Sequence, residues 1–393
     1  MIIQGIKEKR ERLGLTQKEF SDALGLGRNG ERTLRRWENG ESHPSPLEYR
    51  RIMDFPEEPR FPAPENPRFT MIDLFAGIGG IRLAFQRQGG SSVFASEWDK
   101  HAVKTYRINY GEEPRGDITQ IPTAEIPEHN ILLGGFPCQP FSQAGLKRGF
   151  EDTRGTIFFE IARILRERRP QAFLLENVKQ LRGHNKGKTL ETILRVLQED
   201  LDYTVYYDVL RAGDFGVPQN RERIYIVGFY NPLGGRDIPF AFPEPTYEIT
   251  RVGDILVNNP DEKYTISDRL YQGHLRRKEE HKKKGNGFGF SLFNENSPYT
   301  NTISARYYKD GSEILINQGE GRNPRKLTPR ECARLQGFPE DFVIPVSDTQ
   351  AYKQFGNSVA VPVVEAIARK MVNAIEESVG FQYITDQEPI TAR

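Results

Sequence analysis

Only two cysteines, Cys138 and Cys332, occur in 393 residues. That scarcity excludes a disulfide framework and points to a reducing cytoplasm. Neither charge sign is in excess: 55 lysines and arginines face 54 acids, for a net charge of +1. The chain as a whole therefore has no polyelectrolyte attraction to nucleic acid, and any basic surface must be local. No apolar run approaches a membrane span, and the opening Met1-Ile2-Ile3-Gln4-Gly5 is no signal peptide. No internal repeat is present, and no metal site is expected. A chain of this length buries a full core and holds two or three domains.

Residues 1–53 read as a small helical unit. Ile3, Ile6 and Leu13 fall on one helical face. Thr16-Gln17-Lys18-Glu19 is a capping-box helix start, and Phe20, Ala23 and Leu24 follow at helical spacing. Gly25-Leu26-Gly27 makes a turn, and a further helix from about Glu31 to Glu38 stops at Asn39-Gly40. Two short helices around a glycine turn form a helix-turn-helix pattern. Leu15-Thr16-Gln17 and Trp37-Glu38-Asn39-Gly40 resemble phage-repressor-type DNA-binding domains. Arg28, Asn29, Arg32, Arg35 and Arg36 lie at or near the exposed side of the second helix, which suits phosphate and base-edge contact. The alternative is a helical bundle with an ordinary charged face.

Residues 54–68 hold Pro56, Pro59, Pro62, Pro64 and Pro67, a spacing that reads as a semi-rigid linker separating this unit from the rest. From Phe69 the pattern becomes α/β. Short apolar strands at Phe69 to Phe75, Val93 to Ser96, Ile131 to Gly134, Ala172 to Leu175 and Ile224 to Val227 alternate with helical stretches. That implies a mainly parallel, Rossmann-like sheet with ligands at the carboxyl ends of its strands.

Chemistry-bearing residues fall at those ends. Cys138 stands in Gly135-Phe136-Pro137-Cys138-Gln139-Pro140-Phe141-Ser142, where two prolines deny regular hydrogen bonding. It reads either as a nucleophile or as a small buried hydrophobe. In Phe75-Ala76-Gly77-Ile78-Gly79-Gly80 the glycines let a cofactor approach the backbone. No Gly-Lys-Ser/Thr phosphate loop follows. Glu97 at the end of the second strand is placed for ribose hydroxyls, with Trp98 beside it to stack on an adenine. Gly116-Asp117-Ile118, read as ending the next strand, adds another acid. This set fits a nucleoside cofactor without a phosphate clamp. Glu176 at a strand end can serve as an acid if its pKa is raised. Arg221 and Arg223, two apart, read as one strand face that holds a phosphate or a base carbonyl, or as a surface salt-bridge cluster.

In order, the blocks Asp73 to Gly80, Glu97-Trp98, Gly116-Asp117, Gly135 to Ser142, Glu176-Asn177-Val178, Gln219 to Arg223, Leu327 to Pro339 and Gly356-Asn357-Ser358-Val359 resemble the DNA cytosine-5 methyltransferases. The likeness spans about residues 69–379. It implies an S-adenosyl-L-methionine-dependent methyltransferase fold and transfer of a methyl group to C5 of a flipped cytosine. Cys138 would be the nucleophile at C6, Glu176 would hold N3 and the exocyclic amine, and Arg223, with Arg221, would hold the base and the catalytic loop. Phe75 and Trp98 would flank the adenine, Glu97 take the ribose, and Asp117 with Ile118 meet the adenine edge. Ala76, Gly77, Gly79, Gly80, Gly135 and Pro137 would line the cofactor, and Asn357 and Ser358 would close its site. Residues 143–155, with Gly145 and Gly149, look like the loop that closes over DNA. Gln139 and Ser142 would meet DNA. Cys332 reads as packing.

The resemblance divides the remainder. Residues 69–229 would be the catalytic domain, 230–324 the target-recognition domain, 325–380 a return to the catalytic domain, and 381–393 a polar tail. Within 230–324, basic residues interleave with glycine and aromatics from His274 to Phe293, which suits a nucleic-acid groove or a solvated loop. Ser304 to Lys309, with Arg306, is the candidate for base-edge contact. The expected partners are double-stranded DNA bearing a short specific site, operator DNA for the N-terminal unit, and a companion restriction endonuclease, with no membrane. Rival readings are a tRNA cytosine-5 methyltransferase and a transcriptional regulator with a secondary enzyme domain.

Overall fold

The computed structural model describes residues 2–27, 29–136, 157–285 and 289–382, with side chains from Gly5 onward. Four helices open the chain: α1 (Ile2–Arg12), α2 (Gln17–Ala23), α3 (Gly30–Glu38) and α4 (Pro46–Met53). Thr16 caps α2 in a complete capping box with Glu19, as its sequence requires. Ile6, Leu15, Phe20, Leu24, Leu34, Trp37 and Ile52 form their common core. Gln17, of the repressor-like motif, bonds Glu38 at 2.8 Å, and Arg10 meets the same carboxylate through two nitrogens.

The main sheet contains β1 (Phe69–Leu74), β2 (Gly90–Ser96), β3 (Ile131–Gly135), β4 (Ala172–Val178), β5 (Tyr203–Arg211) and β7 (Glu222–Tyr230), in the order β2-β1-β3-β4-β7-β5. The two-residue β6 (Gln219–Asn220) pairs elsewhere. The first four strands run parallel, and β7 is antiparallel to both β4 and β5. Alternation explains why both faces are covered. Met71, Ile131, Leu133, Leu174, Val227 and Phe229 enter one core, while Ile72, Leu74, Leu132, Phe173, Leu175 and Ile226 enter the other. Helices α5 (Gly80–Gln86), α6 (Lys100–Tyr110), α7 (Ile157–Arg168) and α8 (Lys188–Arg195) connect the strands.

Beyond β7 come α9 (Asp268–Lys283) and the short strands β8 (Leu292–Phe293), β9 (Thr300–Asn301) and β10 (Leu315–Ile316). The chain then returns through α10 (Pro329–Leu335), α11 (Asp348–Asn357) and α12 (Val361–Ser378), the last packing on α5. The basic run of residues 274–283 lies on α9 rather than in a loop, and Phe290 is buried with Ile266 and Leu315 instead of facing a groove. No helix among the described residues is long and apolar enough to cross a membrane.

Three expectations need correction. Gly116-Asp117 ends no strand: Arg115 makes a single bridge to Ser96, and a short 3-10 turn follows at Ile118–Gln120. Arg221 lies between β6 and β7, so it shares no strand face with Arg223. Residues 54–68 do not hold the N-terminal unit apart. The Phe61 amide donates to Asn109 at 2.8 Å, Gln86 donates to the Phe61 and Pro62 carbonyls, and the Phe61 ring packs on Tyr110 and Phe342. An aromatic residue amid the prolines makes that segment an anchor, because ring burial outweighs the extended chain's preference for water. The N-terminal unit rests on α6, where Lys104 pairs with Glu19 at 3.1 Å and Ile108 packs against the helical core.

Candidate active site

The parallel strands end at one sheet edge, and antiparallel β7 begins there. A cleft of about 470 Å³ opens at that edge. Phe75, Ala76, Gly77, Gly80, Glu97, Trp98, Gly135, Glu176, Arg221, Arg223, Asn357 and Ser358 line it, uniting most of the sites expected from sequence.

The loop after β1 turns on left-handed residues: Phe75 at φ 56, Gly77 at 55 and Gly79 at 79. Holding a non-glycine residue in that region costs roughly 1–3 kcal/mol, and such strain concentrates at ligand sites. Glu97 clamps the loop. Its carboxylate accepts from the Gly77 and Asp99 amides, both at 2.8 Å. Burial raises its pKa, opposed by those two bonds. Across the cleft, a Cβ on Gly80 would stand 2.8 Å from Ser358 Oγ, so the two motifs are in close apposition. The Trp98 ring is 82% exposed at the rim. A large aromatic surface held outside any core suits a planar ligand stacked against it. These residues fit a nucleoside cofactor: a ring platform, a carboxylate for hydroxyls and a backbone without side chains in the way.

The other end of the cleft is built from β3, β4 and β7. Gly135 lies in register with Glu176, the Phe136 amide donates to the Glu176 carbonyl, and Asn177 donates to the Phe136 carbonyl at 2.8 Å. Arg223 meets Glu176 at 3.1 Å. Glu176 is buried, and that burial raises its pKa above the ordinary glutamate value despite both arginines. Arg221 is a strut: it donates to the carbonyls of Ile303, Gly356 and Ser358, tying the segment after β9 and the end of α11 to the sheet. Burial pulls its guanidinium down to about 9, still charged at neutral pH.

Other sites lie apart. Asp117 is exposed and accepts from the Thr119 amide at 3.0 Å, outside the lining of the cleft, while Ile118 is buried in the adjacent core. Asn29, which precedes α3, and Arg32 and Arg35 on α3 are exposed, and Arg306, between β9 and β10, is exposed. Cys332 is buried. Arg28, Pro137, Cys138, Gln139, Ser142, the loop 143–155 and residues 383–393 lie outside the described residues, as does the side chain of Ile3.

Sequence reasoning missed Gln350, Lys353 and Gln354, which line the cleft beside Asn357. Their spacing of i, i+3, i+4 and i+7 was the available signal.

Comparison with known proteins agrees with this geometry. Residues 69–373 match the family described as C-5 cytosine-specific DNA methylase, and residues 6–58 match a helix-turn-helix family. The chain is 64% identical over 372 residues to the Type II methyltransferase M.SsoII of Shigella sonnei, covering 94% of this chain and 98% of that protein. It is 63% identical over 374 residues to M1.ScrFI of Lactococcus lactis subsp. cremoris, covering 95% and 96%. Among solved structures, the Entamoeba histolytica methyltransferase EhMeth superposes with a TM-score of 0.62 at 20% identity, covering 79% of this chain and 98% of that one, a likeness of fold. The chain belongs to the C-5 cytosine-specific DNA methylase family and carries an N-terminal helix-turn-helix domain.

Proposed function

We propose that the protein methylates C5 of a flipped cytosine within a short, specific double-stranded DNA site, as the modification enzyme of a restriction-modification system. The observation that carries this reading is the Glu176–Arg223 pair, a buried acid opening into the same cleft as Glu97 and Trp98. Relatives named Type II methyltransferases support the modification role.

Cytosine C5 is too weak a nucleophile to take a methyl group directly. Cys138, as thiolate, adds to C6 and forms an S–C6 bond, while the electrons of the C5–C6 double bond move onto C5. Glu176 gives its proton to N3 as that charge develops, and Arg223 keeps the carboxylate oriented. S-adenosyl-L-methionine, when bound, would supply an electrophilic methyl group that the electron pair on C5 takes up as a new C5–CH3 bond, while the sulfonium sulfur keeps its bonding pair as a thioether. Loss of the C5 proton to a base restores the double bond and expels Cys138, and the N3 proton returns to Glu176. Both faces of the ring must be reached, so the base leaves the duplex.

The test is incubation of the full chain and Cys138→Ser with labelled S-adenosyl-L-methionine and unmethylated DNA, followed by bisulfite sequencing. Label at C5 within one motif, absent from the variant, is expected. Label in tRNA but not in DNA would overturn the reading. The exposed Arg32 and Arg35 on α3 support a second role for the N-terminal unit, binding of operator DNA at its own gene.

A further inference from the structure

Behind the glycine loop lies a fully buried cation that the chemistry above does not use. Arg82, on α5, has no exposed surface. Its two terminal nitrogens donate to the Glu112 carboxylate at 2.8 and 2.7 Å. One of them also donates to the Tyr106 hydroxyl at 3.0 Å, and Nε donates to Gln86 at 3.1 Å. A buried guanidinium keeps its place only while a carboxylate compensates it. Glu112, half-buried just beyond the end of α6, is the acid bonded to it.

The position of that cation sets the position of a ring. The Arg82 guanidinium carbon stands 4.4 Å from the centroid of the Tyr110 ring, an attractive contact for a positive group on an aromatic face. The Tyr106 and Phe61 rings also meet Tyr110, with centroids 4.8 and 5.9 Å away. The hydroxyl of this pinned ring donates to the Gly79 carbonyl at 2.8 Å. Gly79 is the left-handed residue that opens α5, between Ile78 and Gly80 of the cleft lining. Helix α6 thus fixes two walls of the cleft: it starts just after Glu97 and Trp98, and its last residue holds the glycine loop.

We infer that Arg82 and Glu112 are positioning residues for the methyl donor: the pair sets the Tyr110 ring, and the ring's hydroxyl holds Gly79 where the loop fits the nucleoside. This rests on the S-adenosyl-L-methionine reading above. Neither residue lines the cleft, so both act through Tyr110.

The test compares the full chain with Glu112→Gln, Tyr110→Phe and the double variant. Each is titrated calorimetrically with S-adenosyl-L-homocysteine, assayed for KM and kcat, and unfolded in urea without ligand. Each single variant should weaken binding and raise the donor KM roughly three- to tenfold, as loss of one hydrogen bond predicts. Turnover at saturating donor should be unchanged, because neither side chain reaches the reacting base. The double variant should be no weaker than the weaker single one, since the two substitutions break one chain of contacts. Lower stability with unchanged binding and KM would overturn the assignment and leave Arg82 a core residue. Weakening that multiplies in the double variant would also overturn it, because Glu112 would then act by a route that bypasses Tyr110. Failure of the unmutated protein to bind S-adenosyl-L-homocysteine would overturn the cofactor reading, and the assignment with it.

Discussion

Tyr110 stands directly behind Gly79. Its hydroxyl donates to the Gly79 carbonyl at 2.8 Å, and a Cβ on Gly79 would lie 2.3 Å from its ring. The tyrosine ends α6, so the helix that starts just after Glu97 and Trp98 also braces the glycine loop from below. Phe61 packs on the same ring, which places the proline-rich segment one contact from the glycine loop.

Gly79→Ala should therefore be damaging in two ways: the residue sits at positive φ, and the ring cannot be displaced cheaply. A loss of ~2–4 kcal/mol of stability is expected, with weakened nucleoside binding. Denaturant unfolding and calorimetry on the same sample would check both. A variant with unchanged stability and affinity would show that the loop is not braced as described.

Phe61→Ala should cost about 2 kcal/mol, below the roughly 3–5 kcal/mol of a fully packed ring, because Phe61 is only half-buried. Deleting residues 1–53 keeps Phe61 and should abolish operator binding while methylation persists. Deleting 1–68 should also weaken cofactor binding. Equal methylation by the two truncated chains would refute the anchoring role.

Glu176→Gln should lower kcat roughly 10²–10⁴-fold, since the amide can hold the base but cannot exchange a proton. In the unmutated enzyme burial raises the Glu176 pKa above the ordinary glutamate value. Activity that depends on that proton should fall as pH rises through the raised value, and the limb should vanish in the variant. A pH-rate profile of identical shape in both proteins would assign the limb to another group.

His129 is buried at the start of β3, with Nδ1 bonded to the Pro127 carbonyl and Nε2 unpartnered. Burial pulls its pKa down to about 4. The neutral ring is favoured in the folded state, so its contribution is intact above the unfolded value near 6.5. That contribution falls with pH through the window down to 4, by about 3 kcal/mol in all. His129→Gln should flatten the acid limb of stability between those values, read by urea unfolding at stepped pH.

Much of the site was legible because local chemistry encoded it. The glycine turn at Gly77 and Gly79, the acid at Glu97 and the capping box at Thr16 each announce a backbone shape or a strand end within a few residues. Asp117 was misplaced because a single bridge at Arg115 resembles a strand in sequence. Arg221 was read as a ligand contact because its partners, the carbonyls of Ile303, Gly356 and Ser358, lie 82 to 137 residues away.

By itself, the sequence determined the two-faced strands, the helix-turn-helix and the order of the functional blocks, since period, capping and turn chemistry act over short range. The tertiary structure alone decided that β7 runs against β4. That direction sets Tyr225 opposite Glu176 and brings Arg223, two residues earlier, diagonally onto the acid. A parallel β7 would begin at the opposite edge of the sheet and leave Glu176 without its cation. Strand direction is settled by packing both cores at once, which no local stretch encodes.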